Sequence, residues 1–208
     1  MYIESVHLKN FRNYKEEKIK LNKNINILYG ENAQGKTNII ESIFLCSMGK
    51  SFRAKKDKEM IKINEDICSV EVEYEKSDRE GKIKIEIGNK KNIFINEIKI
   101  KKLSELLGKI NIVIFTPDDI EIIKGGPDQR RKFLDIMISQ LRPNYIHILS
   151  LYQKTIEQRN NYLKQIKEEN KDENLLEIWD EKLSEYAVKI YEYRKEFINK
   201  LIPKMENL

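Results

Sequence analysis

A chain of 208 residues is long enough to bury a sizeable core, as one domain or as two joined lobes. Its net charge of +5 is a mild, mostly lysine-borne excess, compatible with nucleic acid but equally with a composition heavy in Lys, Ile, Asn and Glu. Two cysteines without metal-site spacing, no apolar run of membrane length and no signal-peptide core argue against a disulfide scaffold, a membrane partner and secretion, and predict a soluble, cytoplasmic protein.

Tyr2 to Leu8 alternates Ile3, Val6 and Leu8 with polar residues and predicts a strand. It runs through Lys9-Asn10-Phe11-Arg12-Asn13-Tyr14 into a second short strand around Ile19 and Leu21. Ile25-Asn26-Ile27-Leu28-Tyr29 reads as a short buried strand, and Ile39, Ile40, Ile43, Phe44 and Met48 recur at helical spacing. Between them stand Gly30, Glu31, Asn32, Ala33, Gln34, Gly35, Lys36 and Thr37, the pattern G-x-x-x-x-G-K-[ST]. Strand, glycine-rich turn and helix is the setting this pattern needs to bind phosphate.

The residue types explain the chemistry. Gly30 and Gly35 let backbone N–H groups converge on phosphate oxygens at a helix N-terminus. Lys36 has the reach for the β- and γ-phosphates, and the Thr37 hydroxyl suits a Mg²⁺ bridging them. The loop alone leaves open which nucleotide is bound and whether it is hydrolysed.

A basic stretch follows the helix, Gly49-Lys50-Ser51-Phe52-Arg53-Ala54-Lys55-Lys56-Asp57-Lys58. Antiparallel strands are predicted over Ile67 to Tyr74, Ile83 to Ile87, Ile93 to Ile95 and Ile98 to Ile100, with a tight turn at Asn96-Glu97. A short helix over Leu103, Leu106 and Leu107 leads to Ile110 to Phe115, which reads as a central buried strand. Beyond Pro117 the pattern is helical. Pro127 opens a helix lined by Phe133, Leu134, Met137, Ile138 and Leu141. Pro143 opens another, with Tyr145, Leu149, Tyr152, Ile156, Leu163 and Ile166 on one face and Arg159 interrupting it. Glu168 to Asn174 is a charged turn. The last helix repeats Leu176/Trp179, Leu183/Tyr186 and Ile190/Tyr193, then Phe197 and Leu201, so the pair predicts an antiparallel hairpin arm with an aromatic packing seam.

Two further signals fail on their chemistry. Ile112 to Phe115 followed by Asp118-Asp119 imitates a metal-holding acid at a strand end, but Thr116 and Pro117 intervene and Asp119 suits the N-cap of a turn over Ile120 to Ile123. Gly125-Gly126-Pro127-Asp128-Gln129 lacks the Ser-x-Gly-Gln order of an ABC signature loop.

Taken together, Asn10-Phe11-Arg12-Asn13-Tyr14, the loop through Asn38, and Gly49-Lys50-Ser51-Phe52-Arg53 resemble the RecF family of the SMC/Rad50 branch of ABC ATPases. So do Pro117-Asp118-Asp119, Ile122 to Pro127, Arg130-Arg131-Lys132-Phe133-Leu134-Asp135, Gln158-Arg159-Asn160 and Trp179-Asp180. The resemblance covers essentially the whole chain, and Lys50 departs from it where the family often has Arg. It implies an α/β ABC-ATPase head: residues 1–115 as ATP-binding lobe I, a P-loop core with an antiparallel β-subdomain, and residues 116–208 as helical lobe II ending in the hairpin arm. It also implies a missing C-terminal portion carrying the signature, the Walker B acids and the D-loop.

Its functional implications are ATP and Mg²⁺ as cofactors, with Thr37 on the metal and Arg12 and Asn13 trimming the site. Pro117-Asp118 takes the Q-loop position. Two full-length copies are expected to close on ATP as a clamp for duplex DNA near gaps or single-strand junctions, with RecR as partner and loading of the recombinase RecA as outcome. DNA candidates are Lys50, Arg53, Lys55, Lys56 and Lys58, then Arg130, Arg131 and Lys132; a structural role, pairing with Asp118, Asp119 or Asp135, is the stronger expectation for Arg130 and Arg131. The residues present are expected to bind ATP weakly and hydrolyse none. The competing readings are another SMC- or Rad50-type head, a P-loop phosphotransferase acting on a small molecule, and a non-catalytic interaction module.

Overall fold

A computed structural model describes residues 1–169 and 172–207. It divides into two compact units, Met1–Phe115 and Thr116–Leu208.

The first unit is built on a six-stranded antiparallel sheet in the order β2-β1-β3-β4-β5-β6. Its strands are β1 Tyr2–Phe11, β2 Tyr14–Lys20, β3 Cys68–Lys76, β4 Arg79–Ile87, β5 Lys91–Ile95 and β6 Ile98–Lys99. Short turns set the register. Ser77-Asp78 and Asn96-Glu97 all take positive φ (51° and 58°, 48° and 66°), the handedness that joins two twisted strands through two residues. In β3 and β4 the alternation is strict: Val70, Val72, Ile83 and Ile85 are wholly buried, while Glu71 and Lys82 pair on the opposite face at 3.0 Å.

The helix α1, Lys36–Met48, covers the apolar face. From Phe44 to Met48 it is buried at every position, and Leu45 and Cys46 enter the same cluster as Val6, Leu8, Phe11, Val70 and Ile85. Ile40 is exposed instead of lining the core. Gly49 ends α1 in the left-handed region (φ 68°), its N–H donating to the Leu45 carbonyl at 2.7 Å, and a Cβ there would sit 2.4 Å from Leu103 Cδ1.

Two predicted strands do not form. Ile25–Tyr29 and Ile110–Phe115 join no sheet among the described residues. Ile25, Ile27 and Tyr29 are 79, 78 and 90% exposed, and Val113 and Phe115 are 80 and 90% exposed. Only Leu28 from the first segment packs against the core, while Ile110 is buried and Ile112 and Ile114 are half-buried. A strand needs a laterally paired neighbour, and the described residues supply none to either segment. The predicted short helix at Leu103 is a single 3-10 turn, Leu103–Glu105, although Leu106 and Leu107 are buried as expected.

The second unit opens with a 3-10 turn, Pro117–Ile120, and a one-turn helix α2, Glu121–Lys124. Asp119 does not cap the turn that follows it. It sits at the third position of its own turn and accepts hydrogen bonds from the Thr116 N–H at 2.5 Å and the Thr116 hydroxyl at 3.1 Å. The long helices are α3 Pro127–Leu141, α4 Pro143–Glu169 and α5 Leu176–Glu206, the first two opened by proline. Leu141 is half exposed, leaving α3 to pack through Leu134 and Ile138.

Along α5 the expected seam holds at every position from Leu176 to Leu201, all buried or half-buried. On α4 it shifts: Leu163 is exposed, and Tyr162 stacks on Trp179 with ring centroids 4.9 Å apart. Arg159 occupies its seam position because its Nε donates to Asp180 Oδ1 at 2.6 Å across the hairpin. The predicted reversal lies partly at residues 170 and 171, outside the described residues. Asp135, Tyr145 and Arg194 tie α3, α4 and α5 together: Arg194 Nη2 donates to Asp135 Oδ1 at 2.7 Å and the Tyr145 hydroxyl donates to the same oxygen. No helix among the described residues is long and apolar enough to cross a membrane.

Candidate nucleotide-phosphate site

Gly30 to Gly35 wrap around the start of α1. Gly30 (φ 138°), Ala33 (φ 67°) and Gly35 (φ 100°) all take left-handed backbone angles, so the chain curls back on itself before entering the helix. Gly35 is the helix N-cap and offers no side chain to the first-turn amides; its carbonyl accepts from the Asn38 N–H at 2.8 Å. The Lys36 and Thr37 N–H groups precede that first bond, and no acidic residue stands in the first turn. An uncapped helix N-terminus of this kind attracts an anion.

Lys36 folds over the loop. Its Nζ donates to the Gly30 carbonyl at 2.7 Å and the Glu31 carbonyl at 2.6 Å, so the ammonium bridges the entry and exit of the curl. Thr37 is exposed, and its hydroxyl makes no hydrogen bond among the described residues. Glu31, Asn32, Ala33 and Gln34 form the exposed crest of the loop.

The loop is braced from the β1–β2 turn. Asn13 Nδ2 donates to the Gln34 carbonyl at 3.2 Å, and Asn38 Nδ2 donates to Asn13 Oδ1 at 2.7 Å. A Cβ on Gly35 would lie 2.8 Å from Asn13 Oδ1 and 2.9 Å from the Tyr14 hydroxyl oxygen. The φ of 100° favours glycine here, and a Cβ would in addition have to displace that carboxamide and phenol. Asn13 therefore reaches the loop.

Arg12 is held by a carboxylate of α1. Its Nε and Nη2 donate to Glu41 Oε2 and Oε1 at 2.9 and 2.6 Å, and its Nη1 donates to the Glu59 carbonyl at 2.7 Å. Arg53, expected among the DNA-facing bases, joins the same carboxylate: its Nη2 donates to Glu41 Oε2 at 2.6 Å and to Asn38 Oδ1. The Ser51 hydroxyl adds a third donor at 2.5 Å. Burial pushes the Glu41 carboxyl up, but the bonds from Arg12, Arg53 and Ser51 outweigh it and hold the group below its ordinary value. Sequence patterning passes over Glu41, yet one signal marks it: it is the single charged residue between Lys36 and Gly49.

The remaining bases divide. Lys55, Lys56 and Lys58 are exposed, and Glu59 receives the backbone N–H groups of Lys55 and Lys56 at 3.2 Å, which holds the stretch in a turn. Lys50 is exposed at the end of α1. Arg131 pairs with Asp128 one helical turn away at 2.5 Å, and Arg130 donates to the Ile122 and Ile123 carbonyls at 3.0 and 3.1 Å. Both make contacts within the helical unit, but the partners are Asp128 and the end of α2, not Asp118, Asp119 or Asp135. Lys132 is exposed. Among the described residues no cluster of three or more His, Cys, Asp or Glu could hold a metal. Both cysteines are buried and free; the Cys46 thiol is raised by burial, and that of Cys68 is pushed up to about 12 for the same reason.

A braced P-loop on a helix backed by an antiparallel sheet, with a helical unit and hairpin arm beyond it in sequence, defines a class: the nucleotide-binding head of an ABC-type ATPase. The AAA domain family matches residues 5–206. The DNA replication and repair protein RecF of Acetivibrio thermocellus is 49% identical over 203 residues, covering 97% of this chain and 55% of that protein. A solved structure of the recombination mediator protein RecF with ATP, of the RecFOR pathway, superposes with a TM-score of 0.92 at 45% identity, over 96% of this chain and 54% of that one. The Smc head domain of Pyrococcus furiosus shares the fold, with a TM-score of 0.51 at 23% identity over 99% of this chain and 59% of that one. The chain belongs to the RecF family of AAA-domain proteins. It spans about half the length of the curated relatives it matches.

Proposed function

We propose that residues 30–37 hold the phosphates of ATP and that the whole protein is an ATP-gated DNA-binding protein of recombinational repair. The observation that carries this is the loop itself: uncapped first-turn amides, Lys36 bridging two loop carbonyls, and Gly35 wedged against Asn13 and Tyr14. In the reading, Lys36 exchanges its carbonyl contacts for phosphate oxygens, which are stronger, charge-assisted partners. The Thr37 hydroxyl would supply one ligand to Mg²⁺, which when bound would neutralise developing phosphate charge. The site residues fit a polyphosphate fully and the metal only in part, because no acidic cluster stands beside Thr37 among the described residues.

We therefore assign ATP hydrolysis, closure of two copies on duplex DNA near gaps, RecR docking and RecA loading to the whole protein, and no turnover to these 208 residues. Lys55, Lys56 and Lys58 are the best-supported DNA contacts, since they are exposed and make no side-chain ion pair among the described residues. Arg53 is held by Glu41 and is a weaker one. Calorimetric titration with ATP and Mg²⁺ tests the reading. Lys36→Ala is expected to weaken binding at least about tenfold, and equal affinity of the two chains contradicts it.

A further inference from the structure

Among the described residues Glu41 is the one charged side chain that is fully buried, with 0% exposure. A carboxylate in that position is costly unless ionic donors surround it, a cost that an apolar residue of the same size would not carry. The donors come from two separate segments, Arg12 from the β1–β2 turn and Arg53 from the stretch after α1. Each guanidinium stays partly at the surface, with side-chain exposures of 21% and 38%. Two guanidinium groups against one carboxylate leave a positive excess that the cluster does not cancel.

The pair is also wired to the loop. Arg53 donates to Asn38, next to Thr37 in the first turn of α1; Asn38 donates to Asn13, and Asn13 to the Gln34 carbonyl. We propose that Glu41 is a positioning residue of the nucleotide site: it fixes Arg12 and Arg53 as a pair beside the first turn of α1, where their uncancelled charge adds to the loop's hold on a polyphosphate. The proposal rests on the reading of residues 30–37 as an ATP site. Without Glu41 the two side chains repel each other and sweep many rotamers, so their charge is no longer delivered in one place.

The experiment is ATP titration into the full chain, Glu41→Gln, Arg53→Gln and the double variant, each at a temperature well below its own melting point. Glu41→Gln is expected to weaken ATP binding about tenfold and Arg53→Gln by a smaller factor, with the double variant no weaker than Glu41→Gln, because Arg53 acts through the group that Glu41 fixes. In the wild type the Arg12 Nε–H, which bonds Glu41, should give a protected NMR resonance; in Glu41→Gln its exchange with water should speed up at least about tenfold while the core methyl signals stay in place. A tie that only holds three segments together would lower the melting temperature and leave ATP affinity of the folded chain unchanged or tighter, and that result overturns the proposal, as do additive losses. Should Glu41→Gln not fold, Arg53→Gln alone decides: loss of affinity supports the pair, and none overturns it. Equal ATP binding by wild type and Lys36→Ala strikes the underlying reading instead, and the proposal falls with it.

Discussion

Gly35 and Glu41 show how much of the site rests on single residues. Gly35 combines φ of 100° with atoms at 2.8 and 2.9 Å from the place a Cβ would take. Gly35→Ala is therefore expected to cost about 1–3 kcal/mol, measured by urea unfolding, and to weaken ATP binding along with it; an unchanged midpoint would mean the turn relaxes freely. Glu41 sets a pH dependence. Its folded-state carboxyl lies below the ordinary 4.5, so its contribution is fully present above that value and is lost as pH falls through the lower, folded one. Glu41→Gln should lower stability by about 2 kcal/mol at neutral pH and flatten the curve in that acid window. Equal acid sensitivity of both chains would assign the loss to other carboxylates. The turn at residues 30–35 and the helix after it were legible in the sequence because glycine admits the left-handed angles there, whereas the strand expected ahead of them does not form. Glu41 was not, because helical periodicity reports which face is apolar and says nothing of a charge buried with its partners.

At the scale of elements, the hairpin arm shows the same division. The α5 seam was legible from spacing alone, since heptad positions coincide with burial from Leu176 to Leu201. The α4 seam was read one residue off at Leu163, because the Tyr162 ring is drawn in by Trp179. Arg159, an apparent interruption, is a cross-hairpin ion pair with Asp180 and is too exposed to stabilise much. Asp135, Tyr145 and Arg194 are different, half-buried or buried and sharing one carboxylate oxygen. Arg194→Ala should destabilise the helical unit by about 2–3 kcal/mol, whereas Arg159→Ala should cost less than about 1 kcal/mol. Trp179 is the only tryptophan and stands on this arm, so its fluorescence in a denaturant titration reports both changes. Equal losses would contradict the ranking.

At the scale of the whole molecule, the strands on which sequence and structure part company have a common cause. Ile25–Tyr29 and Ile110–Phe115 carry strand-like residues, but pattern alone cannot say whether a lateral partner is available, and the described residues provide none. Their exposed apolar side chains form surface of the kind that other protein segments cover. Ile27→Ser and Val113→Ser should therefore change the stability of the chain by no more than about 0.5 kcal/mol, and loss of a core-sized 2 kcal/mol or more would show that both segments are packed. For DNA, replacing Lys55, Lys56 and Lys58 by Ala in the whole protein should reduce the slope of log affinity against log salt by about three; an unchanged slope would move the interface elsewhere. The central claim is that residues 30–37 cradle nucleotide phosphate. Its most direct measurement is the set of backbone amide NMR shifts on adding ATP and Mg²⁺. Gly35, Lys36 and Thr37 are expected to move most, and Lys36→Ala to remove the response. Shifts centred elsewhere, or none at these amides, would contradict it.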